Sequence, residues 1–221
     1  MRTEEMSFST ANGNTTAYVA MPDEAGSKAV VLIQEWWGLN EHIKDVARRY
    51  ANEGYVAIAP DLYRGKLAAD PEEAGKMMAD LQLDDGLDTI ARSVSKAREQ
   101  YGIDTFAVTG FCMGGTYALR AAATSDDFAA AAPFYGDIPE EDVLKGLSTP
   151  TLFVSGTKDG WINPEKVGEL ESAAETHNLP VEVLKYEADH AFFNNTRREV
   201  YDKEAAGDAW SRVLEFFRKR L

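Results

Sequence analysis

Glycines stand two residues before and two after Cys112, in the segment Val108-Thr109-Gly110-Phe111-Cys112-Met113-Gly114-Gly115-Thr116. An apolar run, Phe106–Thr109, enters this segment, and a helix-forming run, Tyr117–Ala123, leaves it. The chain has to turn sharply there from strand into helix, and a side chain at Gly110 or Gly114 would crowd the turn. The spacing is that of a nucleophile elbow with cysteine in the usual serine position. Such a turn lifts its central residue above the sheet and sets it at a helix N-terminus, where the dipole and open N–H groups favour a thiolate. The N–H of Met113 is a candidate oxyanion donor. On this pentapeptide alone, an inert buried cysteine beside a glycine turn is an equal reading, because unpaired cysteine is usually buried.

Around this turn, apolar runs alternate with helical periodicity. Ser7–Thr10 and Thr15–Met21 read as a hairpin closed by Ala11-Asn12-Gly13-Asn14. Ala29–Ile33 and Tyr55–Ala59 read as strands buried on both faces. A helix from about Glu41 to Glu53 separates them, with Ile43, Val46, Ala47 and Tyr50 on its apolar face. Asp70-Pro71 opens a helix that carries Met77, Met78 and Leu81. The next, about Asp84–Tyr101, has a stripe of Leu87, Ile90, Val94 and Ala97. Strands follow at Thr105–Thr109, Ala129–Tyr135, Thr151–Gly156 and Val181–Tyr186. Helices follow at Met113–Ala123, Pro139–Leu147, Asn163–His177 and Glu199–Arg220. This alternation predicts a mainly parallel central sheet with helices on both faces, a three-layer α/β fold. No repeat or linker interrupts it, so residues 1–221 read as one domain.

Length agrees with that: 221 residues suit one sizeable core. No run approaches the roughly 20 apolar residues of a membrane span, and the start, Met1-Arg2-Thr3-Glu4-Glu5, lacks the order of a signal peptide. A single cysteine cannot form an internal disulfide. Together these predict a cytoplasmic protein. The formal net charge of −14 argues against nucleic acid or an anionic membrane as partner. A well-solvated surface accounts for that charge, as would adaptation to a salty environment.

A thiol nucleophile needs a base, and the chain has three histidines. His42 falls early in a helix and reads as a surface residue. His177 ends a helix, where it complements the dipole. His190 follows the last strand and is the best-placed base by elimination. Asp159, past the strand Thr151–Gly156, is the candidate orienting acid. Asp189 adjoins His190, but adjacent side chains rarely face each other. Glu35, in Gln34-Glu35-Trp36-Trp37-Gly38 at the end of a buried strand, is where an open α/β sheet binds ligands; a solvated loop carboxylate is the alternative. The order Cys112, Asp159, His190 is that of the α/β-hydrolases. No spacing of cysteine and histidine suits a metal, and no organic cofactor is expected.

Six motifs in sequence now carry a resemblance: Gln34-Glu35-Trp36-Trp37-Gly38, Pro60-Asp61-Leu62-Tyr63, Gly110-Phe111-Cys112-Met113-Gly114-Gly115, Phe134-Tyr135-Gly136, Gly156-Thr157-Lys158-Asp159 and His190-Ala191-Phe192. Each is weak alone; in this order they are specific. From about Thr15 to the C-terminus the chain resembles the dienelactone hydrolase, or carboxymethylenebutenolidase-like, family. The resemblance implies an α/β-hydrolase fold and a Cys112–His190–Asp159 triad. It implies that Glu35 interacts with the resting thiol and helps activate it, and that the N–H groups of Trp36 and Met113 form the oxyanion hole. Trp37 matches an aromatic position lining the family's pocket; Tyr135, Trp161 and Phe192 are the other expected substrate contacts. The chain departs from the family where two arginines grip the substrate carboxylate. No arginine occurs between Gly65 and Ala91, Asn194 stands at the second position, and Arg197 and Arg198 read as a solvated helix start. The expectation is a hydrolase of a small ester or lactone acting through a thioester, as a monomer or small homo-oligomer. A general carboxylesterase on the same scaffold, and a non-catalytic thiol sensor, are the other readings.

Overall fold

Period-two burial sets the first hairpin: Met6 and Phe8 of β1 (Arg2–Thr10) and Ala17 and Val19 of β2 (Gly13–Met21) are buried on alternate positions. In this computed structural model, which describes residues 1–24 and 26–221, the two strands pair antiparallel from Arg2↔Met21 to Thr10↔Gly13. The hairpin is longer than its apolar residues suggest. β1 lies at the sheet edge, so its outer positions are polar, and Tyr101 donates to the Glu4 carboxylate at 2.6 Å. The turn is correspondingly shorter, and Gly13 takes its positive φ of 117°.

Contacts divide the described chain into two units, Met1–Phe106 and Ala107–Leu221. The first holds β1, β2, β3 (Lys28–Ile33) and β4 (Val56–Pro60). β2 pairs antiparallel with β4, and β4 parallel with β3, giving the order β1-β2-β4-β3. Between β3 and β4 runs α1 (Glu41–Asn52), capped by Asn40, whose Oδ1 accepts from the Ile43 N–H at 3.2 Å. Two helices follow, α2 (Pro71–Asp80) and α3 (Leu83–Tyr101). Asp70 caps α2 and Pro71 fills its first position, as expected. α2 differs in its packing: it buries Ala74, while Met78 is exposed. Its neighbouring methionines are half-buried at Met77 and exposed at Met78, so the helix packs on little. α3 buries Ile90, Val94 and Ala97 and ends at Gly102 with φ of 66°.

The unit boundary falls inside β5 (Thr105–Phe111). The second unit continues with α4 (Met113–Thr124), β6 (Phe128–Phe134), α5 (Glu141–Leu144), β7 (Thr151–Gly156), α6 (Pro164–His177), β8 (Val181–Tyr186) and α7 (Lys203–Arg218). Its strand order is β5-β6-β7-β8, with β6·β7 and β7·β8 parallel. β5 to β7 are almost wholly buried, whereas edge strand β8 is half-exposed. α7 starts later than its sequence suggests. Asp202 accepts from the N–H groups of Glu204 and Ala205 at 3.0 Å, and this cap leaves the residues around Arg197 and Arg198 in turns. No helix among the described residues is long and apolar enough to cross a membrane.

In the first unit one ion pair ties the loop after β4 to α3. Arg64, at a positive φ of 52°, donates to both Asp85 oxygens at 2.8 and 2.6 Å and to Thr10 Oγ1 at 3.2 Å. That pairing holds the Asp85 carboxyl below its ordinary range. Arg64→Ala is expected to cost about 1–2 kcal/mol at pH 7, the scale of a partly buried bidentate pair. A depressed carboxyl stabilises the folded state above its unfolded pKa near 3.8 and stops doing so as the pH falls through the folded value. The gap between wild type and variant in urea midpoint should therefore be widest at neutral pH and close below about pH 4.

Candidate active site

β5 ends at Phe111 and α4 begins at Met113, so Cys112 takes the whole change of direction. Its φ of 56° and ψ of −118° lie where a non-glycine residue is strained by about 1–3 kcal/mol. Backbone bonds hold it there. The Cys112 N–H donates to the Phe134 carbonyl at 3.1 Å, and the Cys112 carbonyl accepts from the Thr116 N–H at 3.1 Å. A Cβ on Gly115 would lie 2.3 Å from the Phe134 oxygen, and one on Gly136 would lie 2.2 Å from the Gly115 carbonyl carbon. The first turn of α4 and the end of β6 thus meet backbone to backbone. Cys112 is partly exposed, so it is not a buried core thiol.

The ends of β7 and β8 carry an acid and a histidine. Past β7, Asp159 accepts at Oδ1 from the N–H groups of Trp161 and Ile162, at 2.7 and 2.9 Å. Its Oδ2 lies 2.6 Å from His190 Nδ1. Burial pushes the Asp159 carboxyl up, but the hydrogen bond and charge of His190, with the two N–H groups, outweigh it and hold the carboxyl below its ordinary value. With Nδ1–H directed at the carboxylate, the neutral imidazole presents Nε2 as an acceptor. That nitrogen is buried and has no hydrogen-bond partner among the described residues.

His190 gets there through a backbone contact. A Cβ on Gly156 would be 2.3 Å from the Ala188 oxygen, which itself accepts from the Lys158 N–H at 3.1 Å. Ala191 completes the turn at φ of 64°. The rings of Tyr135 and Trp161 lie 5.0 and 5.1 Å from the imidazole. Beneath, Phe111 stacks on Phe193 at 4.9 Å, Phe134 lies 5.2 Å from Phe193, and Trp210 of α7 closes the cluster at 6.1 Å. The residue before the cysteine therefore packs on the third residue after the histidine, fixing one strand end against the other.

Of the expected site residues, Cys112, Met113, Tyr135, Asp159, Trp161, His190 and Phe192 belong to the second unit; Glu35, Trp36 and Trp37 belong to the first. Trp161 is 55% exposed, whereas Phe192 is 0% exposed and packs on Tyr135 and Tyr186 at 5.6 and 5.4 Å. Phe192 and the equally buried Tyr135 back the imidazole and offer little surface to a ligand. Glu35 is 2% exposed and so is not a solvated loop carboxylate. Trp36 and Trp37 meet edge to face at 5.2 Å. His42 is 5% exposed, not on the surface: it falls on the inner face of α1, next to Ile43, a placement that helix start signals do not reveal. His177 ends α6 as expected and contacts Glu141 at 2.6 Å. Asn194 is buried and turned inward, its Oδ1 accepting from the Thr196 N–H and hydroxyl at 3.0 and 2.7 Å. Sequence reasoning passed over Phe111, Phe193 and the contacts of Gly136 and Gly156. The paired aromatics after His190 were the available signal for Phe193.

With this geometry in hand, comparison places the chain. A family model described as "Dienelactone hydrolase family" matches residues 15–221. Protein usf of Aquifex pyrophilus is 37% identical over 216 residues, covering 92% of this chain and 93% of that protein. A protein of Aquifex aeolicus, named as a candidate carboxymethylenebutenolidase, is 34% identical over 217 residues, again covering 92% and 93%. The crystal structure of a candidate dienelactone hydrolase from Klebsiella pneumoniae superposes with a TM-score of 0.90 at 32% identity, covering 98% of each chain. The chain belongs to the dienelactone hydrolase family, as an α/β-hydrolase-fold enzyme acting on carboxylic esters or lactones.

Gly156→Ala tests how His190 is held. The new methyl has no room against backbone, so the Ala188–His190 segment has to shift, at about 1–3 kcal/mol. Thermal unfolding should show the loss, and the downfield proton resonance of the His190 Nδ1–H···Asp159 bond should broaden or vanish. A sharp, unshifted resonance would mean that the segment is not positioned by this contact.

Proposed function

We propose that the protein hydrolyses a small ester or lactone through a Cys112 thioester. The single observation that carries this reading is the 2.6 Å Asp159–His190 contact, which leaves a buried Nε2 without a hydrogen-bond partner among the described residues, in the same unit as the strained, partly exposed cysteine. In the cycle, His190 Nε2 takes the thiol proton and Asp159 stabilises the imidazolium. The thiolate attacks the ester carbonyl. The tetrahedral oxyanion accepts from the N–H of Met113 at the start of α4 and, by family resemblance, from that of Trp36. Collapse breaks the C–O bond, and His190 returns its proton to the leaving oxygen. Water then attacks the thioester, giving a proton to His190; collapse breaks the C–S bond, the acid leaves, and His190 returns the proton to the Cys112 thiolate. Glu35 tunes the thiol in the role the resemblance gives it. The enzyme acts as a single catalytic domain in the cytoplasm.

A second reading, a general carboxylesterase, is favoured by what surrounds the expected carboxylate clamp. Asn194 is committed to its own turn, Arg197 pairs with Glu199 at 2.9 Å, and Lys76 pairs with Glu72 at 2.6 Å.

Two measurements test the chemistry. Iodoacetamide should abolish ester hydrolysis in step with loss of the one thiol. His190→Ala should lose at least about a hundredfold in turnover, while His177→Ala stays active. Hydrolysis that survives full alkylation would exclude the thioester. Glu35→Gln removes a negative charge that opposes thiolate formation, so its alkylation profile should move to lower pH, with slower turnover. An unchanged profile would remove Glu35 from the thiol's control.

A further inference from the structure

The Trp36–Trp37 segment has a neighbour that the family motifs do not include. Gly38, at φ of 96°, lies under the loop after β4: a Cβ there would be 2.7 Å from the Lys66 oxygen and 2.9 Å from Leu67 Cδ2. The Ala68 N–H donates to the Trp37 carbonyl at 3.1 Å, and the Lys66 N–H to the Tyr63 carbonyl at 3.2 Å. Backbone bonds on both sides of Leu67 thus fix it beside Trp37, yet the leucine is 54% exposed. A scattered surface leucine carries no message. This one is held by a glycine that leaves no space for a side chain, at the carboxyl end of a parallel strand, where α/β folds bind ligands. Its side chain lies over Gly38, and the next residue bonds to the main chain of Trp37, whose side chain is half-buried and which follows the buried carboxylate Glu35 by two residues.

We propose that Leu67 and Trp37 form an apolar subsite for the uncharged hydrocarbon substituent of the ester. The inference rests on the hydrolase reading above and names its substrate class: aliphatic or aryl esters without a carboxylate. Leu67 is a specificity residue. It lies on the loop segment just past Arg64, whose guanidinium is committed to Asp85, and no further arginine follows before Arg92. Glu35 and the surplus of acidic residues disfavour an anionic group further.

The test compares kcat/KM for 4-nitrophenyl acetate and butyrate, and for methyl and butyl acetates, in wild type, Leu67→Ser and the exposed-residue control Met78→Ser. Each methylene withdrawn from water is worth about fourfold. Wild type should favour the longer chain in at least one series. Leu67→Ser should lower that preference about fourfold, and Met78→Ser should leave it unchanged. Leu67→Arg should raise the ratio for mono-4-nitrophenyl succinate over its methyl ester at least about tenfold, a gain that a merely structural leucine would not give. An unchanged chain-length preference in Leu67→Ser, with hydrolysis intact, would overturn the subsite. So would a wild-type preference for the succinate acid that Lys66→Ala abolishes, because the segment would then be a cationic clamp. Failure of the thioester reading is a different result: hydrolysis that persists after alkylation of Cys112.

Discussion

The second unit depends on a backbone contact that tolerates no side chain. Gly115 and Gly136 touch across the start of α4 and the end of β6, and only this approach lets the Cys112 N–H reach the Phe134 carbonyl. The strained φ at Cys112 is the consequence. Strain of that size persists only where its surroundings over-determine it. Here a buried strand on one side and a twelve-residue helix on the other do so.

The same device recurs at the next strand end. Gly156 admits the Ala188 carbonyl, and that contact brings the turn after β8 over the turn after β7, where Asp159 and His190 meet. Two glycine-made contacts thus register four strand ends in two pairs, β5 with β6 and β7 with β8, and Phe111, Phe134 and Phe193 pack against one another beneath. Aromatic packing stiffens the layer that the polar groups stand on, so the imidazole is held by rings as well as by a carboxylate. A charge-assisted bond at 2.6 Å needs that stiffness to keep its geometry.

In the first unit the corresponding strand end carries different chemistry: a buried carboxylate, two indoles and a clamped, exposed leucine. Arg64 is committed to Asp85 and Lys76 to Glu72. The distribution suits an ester whose substituents are uncharged, and it separates the family's hydrolytic chemistry from its carboxylate recognition.

Much of this was legible in the sequence because it is local. Glycine spacing around Cys112 specified a strand–turn–helix; Asp70-Pro71 and Asn163-Pro164 specified helix starts; apolar runs specified strands, and their ends nominated Asp159 and His190. Local signals cannot report which face of an element is covered. His42 looked like a surface residue and is buried, because the inner face of α1 is decided by what packs on it. Of the residues of α2, Ala74 is buried and Met78 is exposed, a difference that its local signals do not report. Phe192 looked like a substrate contact, but the next turn of chain folds it inward against Tyr186. The sequence by itself determined which residues stand at strand ends, since backbone conformation there follows from glycine, proline and caps. Tertiary structure alone decided which of them touch: the Phe111–Phe193 stack and the Gly156–Ala188 contact join residues far apart in the chain, and burial is a property of neighbours that no single segment contains.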